Sequence, residues 1–273
     1  MSRDGHAKEV QNYYDGNTRR FLSLGQGGKE LAIHRAVRGP GVSDLTEAMH
    51  YVDSHILGEL EELQGRSAVD LGCGVGGSRL YLARRHQGRY IGVTLSPVQA
   101  VIARRVLSES SAEVVVGSFT DPAFWADLAE PIDLAFAVES TVHVEEIEGL
   151  LRGAAGALPA GGRLVVVDDF KAGREPRDRT EERLLREFRE GWRAYGLRTV
   201  EALASAAESF GLNVLKDEDL TDYVVLDRPR DLLVRLFLVL FRWWPGRGGW
   251  FSNLYGGNAL QLALKRRLIT YRY

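Results

Sequence analysis

The residues able to do chemistry fall in three short stretches. The first is Val69-Asp70-Leu71-Gly72-Cys73-Gly74-Val75-Gly76-Gly77-Ser78. An apolar run ending in a carboxylate precedes the glycines, and residues 79–85 follow with helical spacing, which places the glycines at a strand-to-helix turn. Glycine permits positive φ and close approach of a ligand, and a helix start offers unpaired N–H groups to an anionic group. The second stretch is Ala137-Val138-Glu139-Ser140-Thr141-Val142-His143. A Glu directly after an apolar strand is costly to bury unless paired. His143 has the intrinsic pKa range of a general base, with a plain packing role at a helix start as the alternative. The third stretch is Asp168-Asp169, which closes another apolar run and offers oxygen ligands of the kind Mg²⁺ takes. No dense carboxylate motif or Cys/His metal spacing accompanies it, so no metal is expected.

Two nucleotide-type patterns compete at the glycines. Gly72, Gly74 and Gly77 fit G-x-G-x-x-G, the dinucleotide pattern. That site wants an acid about 20 residues on for the ribose, and here the second strand ends in Thr94. The run from Asp70 to Gly76 also resembles the acidic-x-G-x-G-x-G turn of class I S-adenosylmethionine (SAM) methyltransferases. Gly92-Val93-Thr94-Leu95-Ser96 resembles the tocopherol, cyclopropane-fatty-acid and isoprenyl-diphosphate C-methyltransferase subgroup.

The resemblance runs from about residue 67 to 170 and more weakly to the end. It implies SAM as cofactor, with S-adenosylhomocysteine as product, and a lipophilic small-molecule acceptor. Asp70, Gly72, Gly74 and Gly76 would take the methionine end. Thr94, Leu95 and Gln99 would take the ribose, although Ser96-x-x-Gln99 also reads as a capping box. Ser118 and Phe119 would take the adenine, with Ser118 standing where many relatives carry Asp. Glu139 would lie beside the sulfonium, and Glu139 and His143 are the catalytic candidates. The pattern Glu-Ser-x-x-His resembles the tocopherol-type and sugar O-methyltransferases, where the His can be the general base, and Glu-Ser-Thr resembles the isoprenyl-diphosphate C-methyltransferases. Tyr14, Asp169, Trp192 and Tyr195 are the acceptor-pocket candidates. Two other readings stay open: an NAD(P)-dependent oxidoreductase, and a SAM-binding cyclase or binding protein on the same fold.

Alternating apolar runs and helical stripes must position these residues. Strands are expected at 67–71, 90–94, 112–116, 132–138 and 163–168, with helices at 77–86, 97–109, 122–129 and 145–157 between them. A further strand is expected at 211–217 and a last antiparallel one at 268–273. The fold class is α/β: a Rossmann-like seven-stranded sheet with helices on both faces, an N-terminal helical cap and inserted lid helices. Residues 1–65 form the cap, 66–170 the cofactor-binding core, and 171–273 a lid insertion plus the rest of the sheet. The basic cluster Arg19, Arg20, His34, Arg35 and Arg38 reads as a solvated face, with an anion clamp as its sharper alternative. Tryptophans 192, 243, 244 and 250 fall in the variable covers. The apolar helix 232–244 reads as a buried lid or dimer helix, with weak membrane-surface contact as the second reading.

Composition sets outer bounds. The 273 residues suffice for one α/β domain with insertions. A formal charge of −2 gives no reason to expect nucleic acid. The single Cys73 excludes an internal disulfide framework and fits a reducing cytoplasm. Residues 1–10 show no signal peptide, and no apolar run reaches the roughly 18 residues of a membrane span. A cytoplasmic monomer or homodimer is expected.

Overall fold

A computed structural model describes residues 3–24, 30–106, 112–226, 228–240 and 250–273. The loop residues 25–28, Trp243, Trp244 and the side chain of Trp250 lie outside that description. The chain opens with two helices, α1 (Arg3–Leu24) and α2 (Leu45–Glu62). The core then alternates as β1 (Ser67–Leu71), α3 (Gly77–Ala83), β2 (Arg89–Thr94), α4 (Pro97–Val106), β3 (Ala112–Val116), α5 (Pro122–Ala126), β4 (Leu134–Val138), α6 (Glu148–Ala157) and β5 (Arg163–Lys171). Helices α7 (Arg179–Trp192), α8 (Val200–Glu208), α9 (Pro229–Leu240) and α10 (Trp250–Lys265) follow, and β6 (Ile269–Arg272) closes the sheet.

Six strands run in the order β3-β2-β1-β4-β5-β6, parallel except for β6, which pairs antiparallel with β5. The order reverses between β1 and β4, and that switch point is where α/β sheets open a ligand crevice at their carboxyl ends. The seventh expected strand, 211–217, does not form. Its apolar residues Val214 and Leu215 are 53% and 78% exposed, so no buried face rewards pairing there. Past it, Glu218 and Leu220 bond to Tyr273 and Tyr271 around a single bridge at Asp219, and Thr221 Oγ1 accepts from the Tyr271 N–H.

The parallel strands are buried on both faces, as their near-continuous apolar runs require. One core cluster packs Ile56 and Leu60 of α2, Phe136 and Val167 of the sheet, and Leu184, Phe188 and Leu264 of the later helices. The cap is therefore continuous with the core rather than laid over it. Helices α7 and α10 cross where two glycines meet. A Cβ on Gly191 would come within 2.6 Å of the Gly256 backbone, so only glycine allows that approach. The segment after α1 runs as a strap: Val37 bridges Val224, and Val225 bonds back to Ala36.

Candidate functional site

One cavity of about 700 Å³ lies over the carboxyl edge of the sheet. Its floor is the glycine turn. Gly72, Gly74 and Gly76 have φ of +93°, +52° and +90°, a backbone region that L side chains rarely adopt. Gly72 is also a packing necessity, because a Cβ there would come within 2.4 Å of Ser140. Gly74 differs: a Cβ there meets only Ile33, at 3.9 Å, so its backbone faces open cavity. Gly76 is the residue before α3 and does not line the cavity. Asp70 does line it, and burial pushes its carboxyl up to about 7 against the pull of Arg79, 3.9 Å away. Arg79 is wholly buried and donates to the Glu113 carbonyl at 2.6 Å. Gly92 makes room for it, since a Cβ at 92 would stand 2.4 Å from the guanidinium carbon.

At the next strand end Thr94 donates to Gln99 Oε1 at 2.7 Å, both buried, and Leu95 lines the cavity beside them. The capping box is only half made. Gln99 N–H donates to Ser96 Oγ, but the Gln99 side chain turns to Thr94, and Ser96 N–H goes to Thr94 Oγ1 instead. Ser96 Oγ donates to Asp15 of α1 at 2.5 Å, so the cap is pinned to this corner. Ser118 pairs with Thr120 Oγ1 at 2.7 Å and also accepts from the Thr120 N–H. Phe119 touches the cavity with one side and packs in the core with the other.

A buried charge cluster forms the centre. Arg35 donates through both terminal nitrogens to Asp169, each at 2.8 Å. Its Nε and its backbone N–H both donate to Glu139 Oε1, at 3.1 and 2.8 Å. Tyr271 OH donates to the same oxygen at 3.0 Å, and the guanidinium lies 4.5 Å over the Tyr271 ring. Burial raises the Glu139 carboxyl, but the Arg35 charge, the nearby His34 and the two hydrogen bonds from Arg35 together outweigh it and hold the group below its usual range. Asp169 is pushed up by burial, against Arg35. Glu139 itself has φ +50°, a strained position for a non-glycine residue where the chain leaves β4. The basic cluster expected on one face thus splits. Arg19, Arg20 and Arg38 are exposed, whereas His34 and Arg35 turn inward, and Arg35 is spent on carboxylates rather than left to clamp an anion.

His143 ends a one-turn 3₁₀ helix, Thr141–His143. Asp168 holds that turn from below, accepting from Thr141 Oγ1 at 2.8 Å and from the Val142 N–H at 2.9 Å. Burial and the neighbouring Asp169 push the Asp168 carboxyl up to about 7. So Asp168 supports the turn while Asp169 lines the cavity. His143 Nδ1 donates to the Arg193 carbonyl at 3.1 Å, which leaves Nε2 as acceptor for Tyr14 OH at 2.7 Å. Burial lowers the imidazole to about 4, so it is neutral at pH 7. His6 of α1 donates to the His143 carbonyl at 2.7 Å, a placement its position in the sequence did not suggest.

Trp192 lines the cavity and donates to the Asn253 carbonyl at 3.2 Å. Tyr195 does not line it. Its ring sits edge-on to His6, 4.9 Å away, and its hydroxyl points to Glu9. Sequence reasoning missed the opposite wall: Asn253, Leu254, Asn258 and Gln261 of α10 and Val234 of α9. The apolar spacing of those helices is indistinguishable from ordinary core packing. Among the described residues no His, Cys, Asp and Glu group has the makings of a metal site.

Residues 69–166 match a family described as "Methyltransferase domain". The chloroplastic tocopherol O-methyltransferase of Arabidopsis thaliana is 31% identical over 140 residues, covering 46% of this chain and 38% of that one. The 24-methylenesterol C-methyltransferase 2 of Oryza sativa subsp. japonica is 26% identical over 222 residues, covering 80% and 60%. The chain thus spans less than two thirds of the length of these curated relatives. Among solved structures, the cyclopropane synthase MmaA2 from Mycobacterium tuberculosis superposes with a TM-score of 0.76 at 18% identity, covering 98% of this chain and 96% of that one.

Proposed function

We propose that this chain, whose residues 69–166 match a methyltransferase-domain family, moves a methyl group from SAM to a lipophilic small molecule. One observation carries the reading. A single cavity joins the open glycine cradle at Gly74 to the Tyr14–His143 pair and to Glu139, with aromatic and aliphatic walls between them. A tocopherol and a 24-methylenesterol, the acceptors in the relatives' names, are of that lipophilic kind. The dinucleotide reading loses ground, because the second strand ends in Thr94, engaged with Gln99, and not in an acid for the ribose.

The cradle fits the cofactor. Gly74 leaves backbone exposed to the open cavity, Gly72 lets the turn pack against Ser140, and Asp70 at the turn would meet the methionine end. Thr94, Leu95 and Gln99, which line the cavity, would hold the ribose, and Ser118 and Phe119 would hold the adenine. Bound SAM supplies a methyl group on a cationic sulfur, so the protein's task is alignment and exclusion of water. Glu139, held by Arg35 and Tyr271, keeps a fixed negative charge at the cavity wall. Asp168 fixes the turn that presents His143. The neutral Nε2 of His143 takes the proton of an acceptor hydroxyl, either directly or through Tyr14 OH, which gives its own proton to Nε2 as it receives the acceptor's.

Transfer of a radiolabelled methyl group into organic-extractable products tests the reading. A phenolic acceptor is expected to lose labelling in His143→Ala by at least 100-fold and to keep most of it in Glu139→Gln. An alkene acceptor reverses that order, through a cation stabilised near Glu139. Tight cofactor binding with no label in any acceptor would favour a cyclase or binding protein instead.

A further inference from the structure

Helices α9 and α10 build the wall of the cavity that the sheet does not. Helix α9, expected to be buried along 232–244, buries Leu238 and lines the cavity with Val234, but leaves Leu232, Leu233 and Leu236 exposed. Arg228 and Arg230 also line the cavity, and both are paired with Asp231. Helix α10 sets three primary amides among its leucines on this wall: Asn253, Asn258 and Gln261. Asn253 is 6% exposed. Its Oδ1 accepts from Tyr13 OH at 2.8 Å, and its Nδ2 has no partner among the described residues. Asn258 Oδ1 accepts from Arg235 Nε at 3.4 Å, and its Nδ2 is unpartnered in the same sense. Gln261 is half-buried, and its amide bonds to none of the described residues.

Leucine in those places would suit a purely hydrocarbon ligand better, because an amide facing an apolar molecule loses its water and gains no hydrogen bond. A primary amide has two N–H donors, an acceptor oxygen and no net charge, so its complement is a hydroxyl or carbonyl rather than an ion. We propose that α10 reads uncharged oxygen groups on the acceptor, Asn253 near the reacting end and Gln261 at the far end. The bond from Tyr13 sets that order. Tyr13 is next to Tyr14, whose hydroxyl meets His143, so Asn253 sits at the reacting corner. Gln261 lies eight residues further along α10, about 12 Å of helix. The acceptor is thus an oxygenated lipophile, with hydroxyl or carbonyl groups spread along it, and not a molecule whose far end is bare hydrocarbon. This assignment rests on the methyl-transfer reading of the cavity and names its substrate class.

Titration calorimetry with straight-chain terminal diols of eight to twelve carbons, set against the matching 1-alkanols, tests the wall without turnover. At the best length the diol is expected to bind at least as tightly as the alkanol, whereas a wholly apolar wall favours the alkanol. Gln261→Met keeps the length of the side chain and removes the amide. It is expected to lower the diol-to-alkanol affinity ratio about tenfold. Asn253→Leu should lower the ratio too, but it strips Tyr13 of its acceptor, so Gln261→Met, which breaks no bond among the described residues, carries the test. Leu254→Met alters an apolar residue of the same wall and is expected to leave the ratio as it was. The proposal is overturned if the parent binds no diol, if the alkanol is the tighter ligand at every length, if the ratio survives Gln261→Met, or if Leu254→Met lowers it as far. Titration of S-adenosylhomocysteine separates the two readings. A diol preference that depends on Gln261, in a protein that does not bind S-adenosylhomocysteine, would keep the oxygen-reading wall and sink methyl transfer. Tight S-adenosylhomocysteine binding with no diol preference would sink the wall alone.

Discussion

Arg35 is the residue on which the centre of the cavity depends. It neutralises Glu139 and Asp169 in a buried setting, and its removal leaves carboxylates without a cation. Arg35→Met is expected to cost about 3–5 kcal/mol in urea unfolding. Arg35→Lys should recover only part of it, because an ammonium cannot make the paired bonds to Asp169. His143 gives a second prediction at this scale. Its folded pKa of about 4 lies below the ordinary 6.5, so the unfolded chain binds a proton in that window that the folded chain refuses. The resulting stability is present above pH 6.5 and is lost as pH falls towards 4, by roughly 3 kcal/mol. His143→Gln is expected to remove that part of the slope when Tm is followed from pH 7 to pH 4. Equal slopes in both proteins would contradict the placement. Residues of this kind differ in how far the sequence discloses them. The glycine turn is legible because positive φ and a strand-to-helix junction leave few other residue types. Arg35 reads as one cation in a basic cluster, since its partners lie 104 and 134 positions away.

Elements carry the next lesson. The parallel strands and their helices follow from apolar runs and capping residues such as Asp121 before Pro122, which accepts from the Ala123 N–H. The segment 211–217 has strand-like composition but no surface to cover it, so tertiary context overrides pattern. The α7–α10 crossing is also silent in the sequence, because Gly191 and Gly256 are separated by an insertion and meet only in space. Gly191→Val is expected to cost about 1–3 kcal/mol by forcing the helices apart. Because Trp192 and Asn253 sit at that crossing, acceptor turnover should fall more than S-adenosylhomocysteine affinity does. Equal losses in both would show that the crossing supports the whole cavity rather than its acceptor wall. Gly74→Ala makes the opposite separation. Its space is open, so the stability cost is limited to the left-handed backbone, about 1–2 kcal/mol. Cofactor affinity should nevertheless drop at least tenfold, as titration calorimetry would read.

At the scale of the molecule, one sheet edge collects groups from every part of the chain. His6 and Tyr14 come from α1, Arg35 from the strap, Gly74 and Thr94 from the first strand ends, Glu139 and Asp169 from the next, and Asn253 from α10. The sheet order puts the glycine turn and Glu139 on adjacent strands, β1 and β4, which is why a nucleotide-type turn and a chemical wall share one cavity. The most direct test of the account is the change in Tm with two competing ligands. S-adenosylhomocysteine at a hundred times its Kd should add about 2.7 kcal/mol, or roughly 5–10 °C for a domain of this size, while NAD leaves Tm where it was. A rise with NAD and none with S-adenosylhomocysteine would contradict the methyltransferase assignment at its root.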